Sequence, residues 1–487
     1  MQVQRASVDA HAVGATIRDV LRHPSVSLGI TCYIALTIMA FQYPTFGMAP
    51  APNVRVLGYS LPGLANALSF VGIGILWGWR QRRLPARVGR YAAGIFVTVG
   101  IVGHHVVGLI AADGSAWWLA LVCDVLIGGG VALLSIGWID RLAAMSTLVA
   151  SVTMVVAAFG TAALLLVAHG ASALDLTALM GLGLLCISVA TQRDTSIVRL
   201  SRSTRPHIPW KLMVAIFLQG LSVGLVHSSL VVGPQGLLPT EALGLVIAGA
   251  LAAGGILWLR MDFNHLMFML GLPLLALGQL WAVLVYPLEL GTVLHESGYR
   301  LVMIISWIIA AWTVRTKGVT SCWVWPCIMV SFTLGRFAGP LLEAIPAPMF
   351  VIDPLVALPV AVAFVVLFAA FVLFDSASPQ TGWGVVRASE SSDMPAPSNY
   401  DQACTMIAAE YGLSPREREM LGYLAKGRNV EYISDTLSLS KETVRTHRRN
   451  LYRKIDIHAQ QDLMSLLEQV ELQLCEQAAT TTLTIAD

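Results

Sequence analysis

The chain has 487 residues, of which 56% are apolar and only 12% charged, about half the charged share of a soluble globular protein. With a mean hydropathy of +0.70, most of it cannot face water, which excludes a disordered protein, a secreted disulfide scaffold and an ordinary cytosolic enzyme. The net charge of +2 says nothing about partners until its distribution is considered.

Residues 1–23 form a polar tail carrying Arg5, Arg18 and Arg22. The first apolar run, about Leu28–Phe46, is longer than the roughly 7–15 apolar residues of a signal peptide, and more runs follow. It therefore reads as an uncleaved membrane helix. Within 24–374, apolar stretches recur at lengths that fit helices of about 20 residues. The expected spans are 28–47, 58–79, 91–112, 115–138, 147–168, 172–190, 212–232, 241–259, 266–288, 294–313, 319–341 and 350–374, twelve in all. The tenth and eleventh carry Glu296, Arg300 and Arg336 inside otherwise apolar sequence.

Basic residues test that count, because cytoplasmic loops collect Lys and Arg. With the amino terminus inside, the inner loops hold Arg80, Arg82, Arg83, Arg87, Arg90, Arg141, Arg193, Arg199, Arg202, Arg205, Lys211, Arg260, Arg315 and Lys317. The outer loops hold Arg55 and little else. A miscount by one span would scramble this asymmetry, so both termini are expected in the cytoplasm of a multi-pass protein of the cell membrane. The long inner loop Thr191–Lys211 divides the spans six and six. That topology resembles the major facilitator architecture of secondary transporters. The loop 78–90 lies where such transporters place a Gly/Asp/Arg signature, and here it has the arginines without the aspartate.

Charged side chains in a bilayer cost about 2.5–3.5 kcal/mol at mid-helix on the insertion scale and need a reason to be there. Asp124 in the fourth span and His104, next to His105, in the antiparallel third fall at matching depth, which allows a hydrogen bond. Glu296 and Arg300 are four apart and can pair on one helix face. With His227 and Arg336 they lie toward the outside, where a polar cavity could place Arg300 or Arg336 against an anionic or phenolic small molecule. Structural salt bridges are the competing reading. Seven scattered cysteines form no Cys-x-x-Cys pair and no Cys/His cluster, so free thiols are expected, with no metal and no cofactor. No phosphate-binding glycine loop or other catalytic signature occurs, which argues against an enzyme.

After Phe374 the composition changes. Residues 375–400 are rich in Ser, Pro, Gly and Asp and read as a flexible linker, spanning ~25–30 Å by random-coil scaling. Residues 401–476 could fold alone, and 477–487 are a tail. Ser414, Pro415 and Glu417 spell a helix start with a capping box; Met420, Leu421 and Leu424 supply its apolar face. A second short helix, about Val430–Leu437, leads through Ser438-Leu-Ser440 to a third from Lys441 to about Asp456, together a helix-turn-helix. On the third helix Val444, Leu451 and Ile455 face the core, with His447 beside them. Six cations, Lys441, Arg445, Arg448, Arg449, Arg453 and Lys454, stand in fourteen residues against one acid, Glu442. Such a concentration on one element is the electrostatic footprint of a helix entering a DNA groove. A fourth helix, about Ala459–Glu476, repeats Leu463, Leu467, Val470 and Leu474 at helical spacing.

The run Leu413-Ser-Pro-Arg-Glu-Arg-Glu-Met-Leu421, Gly427, Ile433, Leu437, Ser440-x-x-Thr443-Val444-x-x-His447 and Leu451-x-x-Lys454-Ile455 resembles the LuxR-type DNA-binding domain over roughly 405–470. Ser434 replaces the family's usual alanine, and Tyr432 a charged or polar residue. The resemblance implies a four-helix domain that binds two-fold sites in double-stranded DNA as a dimer. It places base reading on Arg445, Thr446 and Arg449 and phosphate contacts on or near Lys441, Thr443, Arg448, Arg453 and Lys454. The fourth helix then supplies the homodimer contact through Leu463, Leu467, Val470 and Leu474, burial in their own domain being the other reading. The whole chain is expected to be an all-α, membrane-bound one-component transcription regulator. A twelve-helix bundle in membrane lipid would sense a small molecule; the alternative is a secondary transporter with a regulatory DNA-binding tail.

Overall fold

Apolar runs of this length satisfy their own backbone in lipid by forming helices. A computed structural model of the chain describes residues 20, 24–42, 61–82, 84, 92–110, 117–170, 210–229, 234–259, 261–285, 288–317, 319–343, 354–373, 404, 406–425, 433–434, 440–457, 462–463, 466–467 and 470. All regular elements among these residues are helical. The chain divides into two compact units, Met1–Glu390 and Ser391–Asp487.

In the first unit the helices are α1 (Pro24–Gln42), α2 (Leu61–Ile73, continued by a π turn Gly74–Gly78), α3 (Ala93–Ile110), α4 (Trp117–Ala144) and α5 (Thr147–Gly170). They are followed by α6 (Trp210–Ser229), α7 (Pro234–Ala253, continued by a π turn Gly254–Trp258) and α8 (Phe263–Leu284). Last come α9 (Leu288–Lys317), α10 (Ser321–Glu343) and α11 (Pro354–Leu373). They fall on eleven of the twelve expected spans, and the sixth, 172–190, lies outside the described residues. Among the described residues seven helices, α4 to α9 and α11, are long and apolar enough to cross a membrane, while α1, α2 and α3 contain shorter apolar stretches. Large apolar side chains stay exposed on the outer surface, Trp258 at 87% and Phe371 at 76%, as a lipid-facing exterior requires.

The packing repeats between the two halves. α1 packs on α5 as α6 packs on α10; α2 on α4 as α7 on α9; and α3 on α4 as α8 on α9. Between the halves α5 meets α7 and α10 meets α2, and these two contacts exchange under the same correspondence. An internal repeat of this kind is how transporter folds place a site at the repeat interface. Small residues bring the helices together. Gly220-x-x-x-Gly224 on α6 faces Gly335-x-x-x-Gly339 on α10, where an added Cβ would overlap the backbone of Phe332, Arg336, Phe217 or Gly224. Lipid offers no hydrophobic drive between helices, so close backbone approach supplies the packing energy.

The second unit has its own core of Ile407, Met420, Leu421, Leu424, Ile433, Val444, Leu451, Ile455, Leu463 and Leu467. Helix α12 (Pro415–Ala425) packs on α13 (Lys441–Ile455). The capping box forms at α12: Glu417 N donates to Ser414 Oγ at 3.3 Å and Ser414 N to Glu417 Oε2 at 2.8 Å. Ser440 caps α13 by accepting from Thr443 N at 3.1 Å. Asp456 closes α13 in the left-handed conformation, φ 58°, a role usually taken by glycine or asparagine. Of the expected second helix only Ile433 and Ser434 are described, and both are helical and buried.

Candidate functional site

Helix α13 turns Val444, Leu451 and Ile455 inward and leaves Glu442, Arg445, Thr446, Arg449 and Arg453 exposed. That is the division the sequence period demands, since core and solvent faces alternate on a 3.6-residue repeat. Arg445 Nη1 rests 3.2 Å from Glu442 Oε2, with the two side chains 59% and 80% exposed. Pairs so exposed are worth about 0–1 kcal/mol, so Arg445 is readily released. Lys454 is held differently. Its Nζ lies 2.7 Å from Glu417 Oε2, across to α12, and this contact holds the Glu417 carboxyl at about 2, well below its ordinary 4.5. The Thr443 hydroxyl sits 2.8 Å from the Ser440 cap, and Arg448 is half-buried. Leu463, Leu467 and Val470 are 0%, 1% and 7% exposed in the core of their own unit. This is the burial in their own domain that the helical spacing also allowed. Leu474 lies outside the described residues.

In the first unit, charged groups gather where α6, α7 and α9 meet. Arg300 on α9 donates through Nη2 to Glu241 Oε2 on α7 and stands 3.5 Å from Glu296 Oε2 one turn away. His227 Nε2 on α6 and His295 Nδ1 on α9 both face Glu296 Oε1, at 3.9 and 3.8 Å. Glu241, His295, Glu296 and Arg300 are buried, so each charge depends on its partners. The expected pairing of Glu296 with Arg300 is present, with Glu241 as the nearer partner. Neither Glu241 nor His295 stood out in the sequence. Glu241 opened the expected eighth span, at a lipid boundary where an acid needs no explanation, but α7 starts at Pro234 and draws it two turns inside. Asp124 is half-buried on α4; its expected contact with His104 lies outside the described side chains.

Arg300 and Arg336 also line a cavity of about 130 Å³ between the two halves, walled by Tyr33, Phe70, Tyr299, Trp307, Trp325 and Phe332. Trp307 and Trp325 lie 4.6 Å apart between ring centroids, Tyr299 stacks on Phe332 at 5.7 Å and 12°, and the Arg300 guanidinium sits 4.5 Å over Tyr299. A cavity of ~150 Å³ holds one benzene, so this one admits a single small ring. Aromatic walls would grip such a ring, and the guanidinium groups would attract negative charge on it. Cys32, Cys123, Cys322, Cys327 and Cys404, the cysteines among the described residues, are free thiols.

Residues 411–467 match the model for bacterial regulatory proteins of the luxR family. The second unit carries a LuxR-family domain. A response regulatory protein of Escherichia coli, YgeK, is 38% identical over 60 residues, which cover 12% of this chain and 41% of its own. The transcriptional regulatory protein MctR of Rhizobium johnstonii is 44% identical over 45 residues, 9% of this chain and 21% of its own. The chain thus spans less than half the length of either relative.

The first unit is similar in fold to transporters. A bacterial homologue of the iron transporter ferroportin, in an outward-facing state, superposes with a TM-score of 0.52 at 13% identity, over 72% of this chain and 98% of its own. The E. coli fucose:proton symporter gives 0.50 at 14%, over 74% and 100%. A second structure of that symporter, a Major Facilitator Superfamily transporter in the outward conformation, gives 0.49 at 14%, over 72% and 98%. At these identities the likeness is one of fold alone. Regulators and transporters are both non-enzymatic kinds of protein.

Proposed function

We propose that the chain is a membrane-embedded one-component transcription regulator. Twelve spans hold it in the cell membrane with both termini and the LuxR-family domain in the cytoplasm. The cavity between the halves receives a small aromatic ligand carrying a phenol or an anionic group, and the C-terminal unit binds promoter DNA as a dimer. Arg445, Thr446 and Arg449 read bases, while Lys441, Arg448 and Arg453 contact phosphates. Lys454 and Thr443 position α13 instead, because each is engaged within the domain.

The observation that carries this reading is a single polypeptide joining a LuxR-family domain, with an exposed basic α13, to a transporter-fold membrane unit. The Ser-, Pro-, Gly- and Asp-rich sequence of 375–400 encodes no rigid lever. Ligand binding therefore acts by promoting dimer formation or by unmasking the DNA-binding unit.

Arg445→Ala with Arg449→Ala tests it. Each bidentate arginine–guanine contact contributes about 1–3 kcal/mol of discrimination. The double variant should lose at least ~30-fold in affinity for its promoter at fixed salt, measured by footprinting, while remaining in the membrane at normal abundance. Retained sequence-specific binding would count against the proposed docking. A second reading, a transporter whose tail regulates its own expression, is favoured by the fold of the first unit. Uptake of a labelled compound by the purified chain in vesicles would support that alternative.

A further inference from the structure

The hydrogen bonds around the buried cluster fix which ring nitrogens carry protons. Gln279 Nε2 donates to the Pro359 carbonyl at 2.8 Å, and a carbonyl can only accept. Gln279 Oε1 is therefore the acceptor for the Ser222 hydroxyl. With its one proton given to Gln279, Ser222 Oγ accepts from His295 Nε2 at 3.2 Å. His295 Nδ1 is left as a bare lone pair. In the same way the Val223 carbonyl accepts from His227 Nδ1 at 2.9 Å, leaving His227 Nε2 bare.

Both bare nitrogens face Glu296 Oε1, at 3.9 and 3.8 Å. These separations are too long for hydrogen bonds, and a neutral ring held this way has no proton there to donate. Glu241 adds a second carboxylate, so that His227, Glu241 and Glu296 each offer a ligand atom within 4.8 Å of the others. His295 and Glu241 are 0% and 1% exposed, and His295 Nδ1 and Glu241 Oε1 have no hydrogen-bond partner. Acceptors facing acceptors in a largely buried site are costly unless a cation or a proton lies between them.

We infer that His227, Glu241 and Glu296, with His295 Nδ1 beside them, form a binding site for a divalent transition-metal ion. Mixed imidazole and carboxylate donors suit zinc, iron, cobalt or manganese better than magnesium or calcium. Bonds of ~2.1 Å at the tetrahedral angle place ligand atoms about 3.4 Å apart; the two histidine nitrogens stand 3.9 and 3.8 Å from Glu296 Oε1, and Glu241 closes the set within 4.8 Å, so the donors draw together when an ion binds. The outer shell has the arrangement that orients metal-bound histidines, with the second ring nitrogen of His227 on a backbone carbonyl and that of His295 on a serine oxygen. Arg300 steadies the far oxygen of both carboxylates and also lines the cavity. An ion here therefore sits one side chain from the cavity. The sequence gives no spacing signal, because the donors come from three helices.

Cobalt(II) is the probe. The full-length chain, purified in detergent and stripped with a chelator, should bind one ion per molecule, develop visible absorption bands and unfold at a higher temperature. His227→Gln and His295→Gln should each weaken binding at least tenfold and remove the bands. Ser222→Ala, which keeps every ligand and loosens only the outer shell, should weaken it ~10–100-fold. His265→Gln, at a surface pair with Asp262, should change nothing. No bound cobalt in the wild type, or binding that survives both glutamine variants, overturns the inference. If those variants do not fold, an unchanged affinity in Ser222→Ala overturns it. The readout is metal stoichiometry, not transcription, so failure here leaves the regulator reading standing.

Discussion

Arg445 and Glu442 on α13 pair with side chains 59% and 80% exposed, whereas Arg300 and Glu241 pair at 8% and 1%. The two contacts use the same chemistry in opposite surroundings. In water the exposed pair is nearly neutral in energy, so its arginine is readily released. In the membrane unit the partners cannot be separated without stranding a charge. One region keeps its cations available and the other locks them into place. On the proposed reading the first is organised for exchange with DNA, the second for holding helices and a small site in register.

Breaking the buried pair should give the largest effect. Arg300→Met leaves Glu241 uncompensated and is expected to destabilise the first unit by about 3–5 kcal/mol, read as a lower unfolding temperature in detergent. Adding Glu241→Met should restore part of that loss, because an apolar pair needs no compensation. A double variant no better than the single would mean that Arg300 is held by Glu296 rather than by Glu241.

The second unit should respond to acid through Glu417. Its folded pKa is depressed to about 2 from 4.5, chiefly by Lys454. The contact therefore stabilises fully above pH 4.5 and is lost as pH falls from there toward 2. Amide exchange in 415–455 should quicken over that window, and Glu417→Gln should exchange faster at neutral pH with a flatter acid response. An unaltered acid response in this variant would place the sensitivity elsewhere.

Ser440→Ala is expected to have the smallest effect. It removes the oxygen that accepts from Thr443 N and should cost about 1 kcal/mol. Faster exchange confined to the first turn of α13 would show it, whereas acceleration across the whole helix would mean that the cap holds more than its own turn.

The local signals of α12 and α13 were readable because capping, helical period and charge segregation act within a few residues. Ser414, Glu417 and Ser440 cap as their spacing requires, and Val444, Leu451 and Ile455 are buried as their period requires. The apolar runs likewise told where helices lie, since backbone in lipid has few alternatives to a helix. The leucine repeat after Ala459 was open to two readings, a dimer contact or burial in its own domain. Period shows that a face is buried, not whether the covering surface belongs to the same copy, and Leu463 and Leu467 turned out to be covered by their own unit.

By itself, then, the sequence determined the helices, the basic surface of α13 and the join between a lipid-embedded body and a LuxR-type segment, all set by neighbours close along the chain. Only the tertiary structure decided that Glu241 and His295 join Glu296, Arg300 and His227, that Arg300 and Arg336 share an aromatic-walled cavity, and that Lys454 pairs with Glu417 across to α12. The physical reason is range. These contacts bring together residues from different helices, and their energies depend on burial that no local pattern records.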